Sequence, residues 1–101
     1  MRSEPYRLKG KSSRPAHDAL FDAAFERVQD AAQEQGGSAR QVAEVRARLD
    51  DIRAELARAA PSEKRGRVIA AALRRDVPWA YPIVRDAIAI AWPALIGLLP
   101  E

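Results

Sequence analysis

Apolar residues recur at alternating intervals of three and four positions through the middle of the chain. The series consists of Val42, Val45, Leu49, Ile52, Leu56 and Ala59. On an α-helix this spacing gathers the side chains into one stripe, as in the seam of a coiled coil. Ser38 with Gln41 three positions later has the pattern of a capping box. The sequence therefore predicts a helix over residues 39–60 whose stripe needs another helix to cover it.

A second amphipathic stretch precedes this helix and ends at the pair Gly36-Gly37. Its apolar face consists of Leu20, Phe21, Ala24, Phe25, Val28, Ala31 and Ala32. Paired glycines are a strong stop signal for a helix, which predicts a helix over residues 16–35. Two long helices joined by two glycines can close into an antiparallel hairpin in which each covers the other's stripe.

Prolines mark the ends of two shorter helices after the hairpin. Pro61 ends the seam helix, and Ser62 can cap the helix that follows. Pro82 fits the first turn of the last helix, which Pro93 should kink or divide because it lacks a backbone donor. The predicted spans are residues 62–75 and 82–99.

The predicted fold is all-α. An antiparallel helical hairpin is followed by two shorter helices, which together form a small helical bundle over residues 16–101. Residues 1–15 carry five basic residues and one acidic residue without a periodic apolar pattern. We expect them to form a flexible basic arm rather than a signal peptide, because no apolar run follows the charges.

Composition excludes several classes of chemistry. The 101 residues include no cysteine, which excludes disulfide frameworks, zinc knuckles and thiol nucleophiles. The single histidine, His17, gives neither a paired-histidine metal site nor a specific Ser-His-Asp arrangement. A chain of this length buries only about 60–65% of its unfolded surface, which leaves little room for a large catalytic cleft. We expect a non-catalytic cytoplasmic protein without a metal or cofactor, and the abundance of alanine and arginine favours a GC-rich bacterial genome.

Charge is segregated onto two of the predicted helices. An acidic face on the first helix consists of Asp18, Asp22, Glu26, Asp30 and Glu34. A basic face on the third helix consists of Lys64, Arg67, Arg74 and Arg75. Each face can simply be solvated, with cations also stabilising the C-terminus of their helix. Alternatively, the two faces are complementary docking surfaces, satisfied within one chain or between chains.

The last segment differs in composition from the rest of the chain, because it is almost uncharged and carries both tryptophans. Its candidate interface residues are Trp79, Tyr81, Ile88, Trp92, Leu95, Ile96 and Leu99. Three interpretations stay open: the core of the chain's own bundle, a surface for self-association or a partner protein, and a membrane-associated or pore-forming helix. The uncharged run over residues 87–100 is shorter than the roughly 20 residues that span a bilayer, so membrane contact is the least favoured.

One stretch resembles a DNA-binding helix-turn-helix over residues 31–48. Ala32, Gly36, Val42 and Val45 fall at the spacing of its alanine, turn glycine and recognition-helix apolar positions. Gly37 stands where that unit normally has an apolar residue, and the second helix is far longer than a recognition helix. The resemblance implies a DNA-binding regulator that contacts nucleic acid through Arg40, Gln41, Glu44, Arg7, Lys9 and Lys11.

Binding is the function that these patterns favour. We expect a small adaptor or assembly subunit that contacts itself or another protein through the apolar last helix. The acidic and basic faces would set the orientation of that contact. DNA binding through the degenerate helix-turn-helix is the alternative, and a membrane-associated last helix is the second alternative.

Overall fold

A computed structural model describes residues 13–100, and it is helical throughout apart from short connections. Its elements are α1 (Ser13–Gln35), α2 (Ala39–Leu56), α3 (Glu63–Asp76), α4 (Tyr81–Ala91) and a short 3-10 helix (Pro93–Leu95). No strand occurs within this range. The predicted all-α class, with a hairpin followed by two shorter helices in a small bundle, is confirmed.

Two side-chain contacts show that α1 and α2 run antiparallel. Arg53 Nη1 donates to Asp18 Oδ1 at 2.8 Å, and the Arg46 guanidinium lies 5.1 Å from the centroid of the Phe25 ring. In each pair the two residues are equally far from the turn that joins the helices, which only an antiparallel arrangement produces. The ion pair thus joins the two helices near the open end of the hairpin, and the cation–π contact joins them near its middle.

The turn of the hairpin uses both of its glycines. Gly36 has a φ of 72°, a left-handed conformation that glycine adopts without a Cβ clash. Gly37 N–H donates to Ala32 C=O at 2.8 Å, the bond that closes a Schellman motif. The predicted capping box is also present, because Ser38 and Gln41 each accept a bond from the other's backbone N–H at 3.1 Å.

Some helix ends differ from the predicted ones. Helix α1 begins at Ser13, and its first residues overlap the end of the predicted arm, most of which lies outside the described residues. Helix α2 ends at Leu56 rather than at residue 60, because the chain then turns toward the start of α3. The predicted last helix, 82–99, is divided at Pro93, because proline has no backbone N–H to donate to the preceding turn.

Packing follows a ring of neighbours in which α1 contacts α2, α2 contacts α3, α3 contacts α4 and α4 contacts α1. Helices α1 and α3 therefore lie at opposite corners of the bundle. Helix α1 makes more extensive contact with α4 than with its hairpin partner α2. The core between them contains the large buried side chains Phe21, Val28, Val45, Ile52, Leu73, Val77, Val84, Ile88 and Leu95.

A buried carboxylate organises the connection between α2 and α3. Glu55 is only 4% exposed, and its carboxylate accepts a 2.8 Å bond from Ser62 N–H and a 3.1 Å bond from Arg65 Nε. Arg58 lies 3.4 Å away on the same carboxylate. The backbone bond from Ser62 and the two guanidinium groups hold the pKa of Glu55 below its usual value.

This arrangement predicts a pH-dependent contribution from Glu55. Because its folded-state pKa is lowered, its stabilisation is present above the unfolded pKa and is lost as pH falls below about 4.5 toward the folded-state pKa. Glu55→Gln should lower the melting temperature at neutral pH by roughly 4–8 °C and flatten its decline in acid. Circular dichroism melts from pH 7 to pH 3 measure both effects. A Glu55→Gln curve that matches wild type would contradict the assignment.

Candidate docking surface

The candidate interface residues of the last segment lie mostly inside the bundle. Tyr81, Ile88, Trp92, Leu95 and Leu99 are buried, Trp79 is partly buried, and Ile96 is exposed. The reason is that α4 packs between α1 and α3, while the 3-10 helix folds back onto α3. Five of the seven residues therefore lie in the core of the chain's own bundle, one of the three interpretations that the sequence leaves open, and these five are not available as an exposed contact surface.

The aromatic polar atoms of this segment are also engaged within the chain. Trp79 Nε1 donates to Gln41 Oε1 at 3.3 Å, beside the hairpin turn. Tyr81 Oη donates to Pro100 C=O at 2.7 Å, and Arg85 Nε approaches the same oxygen at 3.4 Å. The two bonds to Pro100 hold the chain that follows the 3-10 helix against α4.

Exposed apolar side chains mark a different surface. Val68 on α3 is 57% exposed and Leu98 is 41% exposed. Together with Ala71 and Pro100 they line a shallow groove between α3 and the end of the described chain, with Arg67 at its edge. We refer to these five residues as the α3 groove. It is apolar along its floor and cationic at its rim.

One residue of the basic face lines this groove. Lys64, Arg67, Arg74 and Arg75 are all exposed on α3, and Arg67 borders the groove, whereas Arg74 and Arg75 line a different groove beside Tyr81. Arg75 Nε donates to Asp76 at 2.9 Å, and this bond lowers the pKa of the Asp76 carboxyl. Lys64 and Arg67 form no ion pair with any residue from 17 to 100. Arg67 therefore brings an uncompensated charge to the groove, and Lys64 lies one turn before it on α3.

The acidic face lies on the other side of the molecule. Asp18 is paired with Arg53, as described above. The other four members are exposed and form no ion pair within the described part of the chain: Asp22, Glu26, Asp30 and Glu34. Because α1 and α3 occupy opposite corners, the acidic and basic faces do not neutralise each other within one copy.

The helix-turn-helix candidates have other local roles. Residues 31–48 form part of an antiparallel hairpin, whereas the helices of a helix-turn-helix cross at about 90–120°. Gln41 closes the capping box and accepts from Trp79, and Glu44 accepts a 2.8 Å bond from Arg48. Arg40 is exposed. Arg7, Lys9 and Lys11 lie outside the described residues.

The lone histidine lies beside charges that already pair with one another. His17 borders an open groove with Asp18, Asp50 and Arg53. The Arg53 guanidinium bridges the two aspartates, at 2.8 Å to each. Within residues 17–100, no group of three or more acidic or histidine side chains is placed to hold a metal ion.

None of the helices between residues 13 and 100 combines the length and hydropathy that crossing a bilayer requires. The α3 groove joins two exposed large apolar side chains, Val68 and Leu98, with an unpaired cation, and neither of these apolar residues is among the candidates that the sequence predicts. Comparison of the chain with protein-family models, with curated proteins and with solved structures gives no match.

Proposed function

We propose that this chain is a non-catalytic protein–protein interaction module whose docking surface is the α3 groove. Its partner is an acidic helix of a protein. The observation that carries the proposal is the exposure of Val68 and Leu98 on one apolar floor beside Arg67. Ile90 and Ile96 are the other exposed large apolar side chains from residue 17 to residue 100, and neither lines this groove.

The chemistry of the groove selects this class of partner. Apolar floor residues gain free energy when a partner covers them, about 1.5–3 kcal/mol for a fully buried valine or leucine side chain. Cations at the rim attract carboxylates and repel basic segments. Such charges orient the partner and raise the association rate more than they raise the affinity. A helix with carboxylates and small or aliphatic side chains on one face meets both requirements.

Substitution of the groove should weaken such binding. Val68→Asp removes an apolar contact and places a carboxylate where the partner's carboxylates dock, so we expect at least about a tenfold loss of affinity. The measurement is fluorescence anisotropy of a labelled synthetic helix that carries leucine and glutamate on one face.

Ile90→Asp is the matched control. Ile90 is 66% exposed on α4 and does not line the groove, so the same change there should leave peptide affinity unaltered. An equal loss in both variants would show that the peptide binds apolar surface without preference. Absence of binding to the wild-type chain at low salt would overturn the proposal.

A further inference from the structure

We infer that the partner of the α3 groove is a second copy of this chain, which docks through the outer side of α1, so that copies join head to tail. This inference rests on the proposed function, because it names the protein that supplies the acidic helix. The charges that the contact brings together are the carboxylates Asp22, Glu26 and Asp30 of α1 and the cations Lys64 and Arg67 of α3, which form no ion pair within residues 17–100.

The free charges of the two faces have matching spacing. Lys64 and Arg67 lie one turn apart on α3, and Asp22 and Glu26 lie one turn apart on α1, so each of the two cations can face a carboxylate. Arg75 already pairs with Asp76 in its own chain, which centres the contact on the first half of α3. Opposite charges at matched spacing favour one register over shifted ones.

The outer side of α1 also offers small apolar residues to the groove. Ala19 and Ala23 are exposed, and on the helical wheel they fall among Glu26, Asp30 and Glu34. Alanine lets the backbone of α1 approach the floor formed by Val68 and Leu98 closely. The face thus has carboxylates for the rim and small side chains for the floor.

Symmetry decides how the copies are arranged. A two-fold dimer buries the same patch on both copies, and α3 against α3 would bring two copies of the basic face together. The acidic and basic faces lie at opposite corners, so one two-fold interface does not contain both. Contact between α1 of one copy and α3 of the next is heterologous and yields a ring or an open chain.

Charge reversal in two complementary variants tests the inference. One variant carries Asp22→Lys, Glu26→Lys and Asp30→Lys, and the other carries Lys64→Glu and Arg67→Glu. We expect the wild-type mass by light scattering to rise above 11.1 kDa with concentration at low salt and to return to that value at high salt. Each variant alone should stay at the monomer mass, because the new lysines of the first variant face Lys64 and Arg67, and the new glutamates of the second face the carboxylates of α1.

An equimolar mixture of the two variants should assemble again. The basic α3 of the first variant meets the acidic α1 of the second, and the reversed faces complement each other. Adding Leu98→Ser to both variants should weaken the mixed assembly, whereas adding Ile90→Ser should not. Circular dichroism spectra check that each variant is helical before masses are compared.

The outcomes separate this inference from the proposed function. A wild-type monomer at every salt and concentration, with the acidic peptide still bound to the α3 groove, overturns self-association and leaves the proposed function standing. Loss of both self-association and peptide binding overturns this inference and the proposed function together. A discrete dimer that persists in both charge-reversal variants places the interface elsewhere and overturns head-to-tail assembly.

Discussion

Leu95→Ala is expected to lower the free energy of unfolding by about 2–5 kcal/mol. Leu95 is fully buried in the 3-10 helix, where it packs beside Trp92 against α3. Truncation removes its transfer free energy and leaves a cavity that the surrounding helices fill only in part. A domain of this size has about 5–15 kcal/mol of stability, so this loss is a large fraction of the total.

The neighbouring residue provides the control for Leu95. Ile96 is 57% exposed, and Ile96→Ala should change stability by no more than about 0.5 kcal/mol. Urea unfolding followed by circular dichroism at 222 nm, a helix signal, measures both variants. Equal effects at the two positions, or a Leu95→Ala chain that changes solution mass while keeping its stability, would contradict placement of this segment in the core.

Gly66→Leu is expected to destabilise the bundle by about 2–3 kcal/mol through overpacking. A Cβ at Gly66 would lie 2.8 Å from Trp92 Cζ3 and 2.9 Å from Leu95 Cδ1. These distances show that the missing side chain lets the end of α4 and the 3-10 helix lie directly on α3. On an exposed helix the same replacement would stabilise, because leucine favours helix over glycine by about 0.8 kcal/mol.

Gly97 is the matched position for this test. A Cβ there would meet nothing within 4 Å, and its φ is not positive, so Gly97→Leu should leave the unfolding midpoint nearly unchanged. Thermal melts of the two variants distinguish close packing at Gly66 from a general effect of leucine. A Gly66→Leu chain as stable as wild type would mean that Trp92 and Leu95 can move away at little cost.

Local signals in the sequence predicted the hairpin well. Gly36 adopts the left-handed conformation that a helix stop requires, and Ser38 with Gln41 forms the capping box. Val45, Leu49 and Ile52 of the seam are buried. Each of these features depends on residues within a few positions of one another, which is the range over which helix patterns are informative.

The packing of one helix on another depends on residues that are far apart in the sequence, and local patterns do not predict it. The apolar stripe of the last helix is the same whether the chain's own helices or a partner cover it, and here α1 and α3 do so. Glu55 is buried because the chain returns through Ser62 and Arg65, which the local sequence around Glu55 does not indicate. Sequence periodicity does not state which helix will lie on which stripe.

The exposure of Val68, one of the groove residues on α3, could have been predicted from its position on the helix. Val68 precedes Leu73 by five positions, which places it about 140° from that core residue on a helical wheel. This angle indicates that Val68 lies away from the core side of α3, although it is apolar and adjacent to Ile69. Leu98 had no comparable signal, because its position depends on how the chain turns after Pro93.

The most direct test of the proposed docking surface is a map of backbone amide shifts by nuclear magnetic resonance. The isotope-labelled chain is titrated with the acidic helical peptide at low salt. We expect the largest shifts at Arg67, Val68, Ala71 and Leu98, with the amides of the core residues Val45 and Ile52 nearly unchanged. Shifts that concentrate on α2, or that spread evenly over the bundle, would contradict the assignment of the α3 groove as the binding surface.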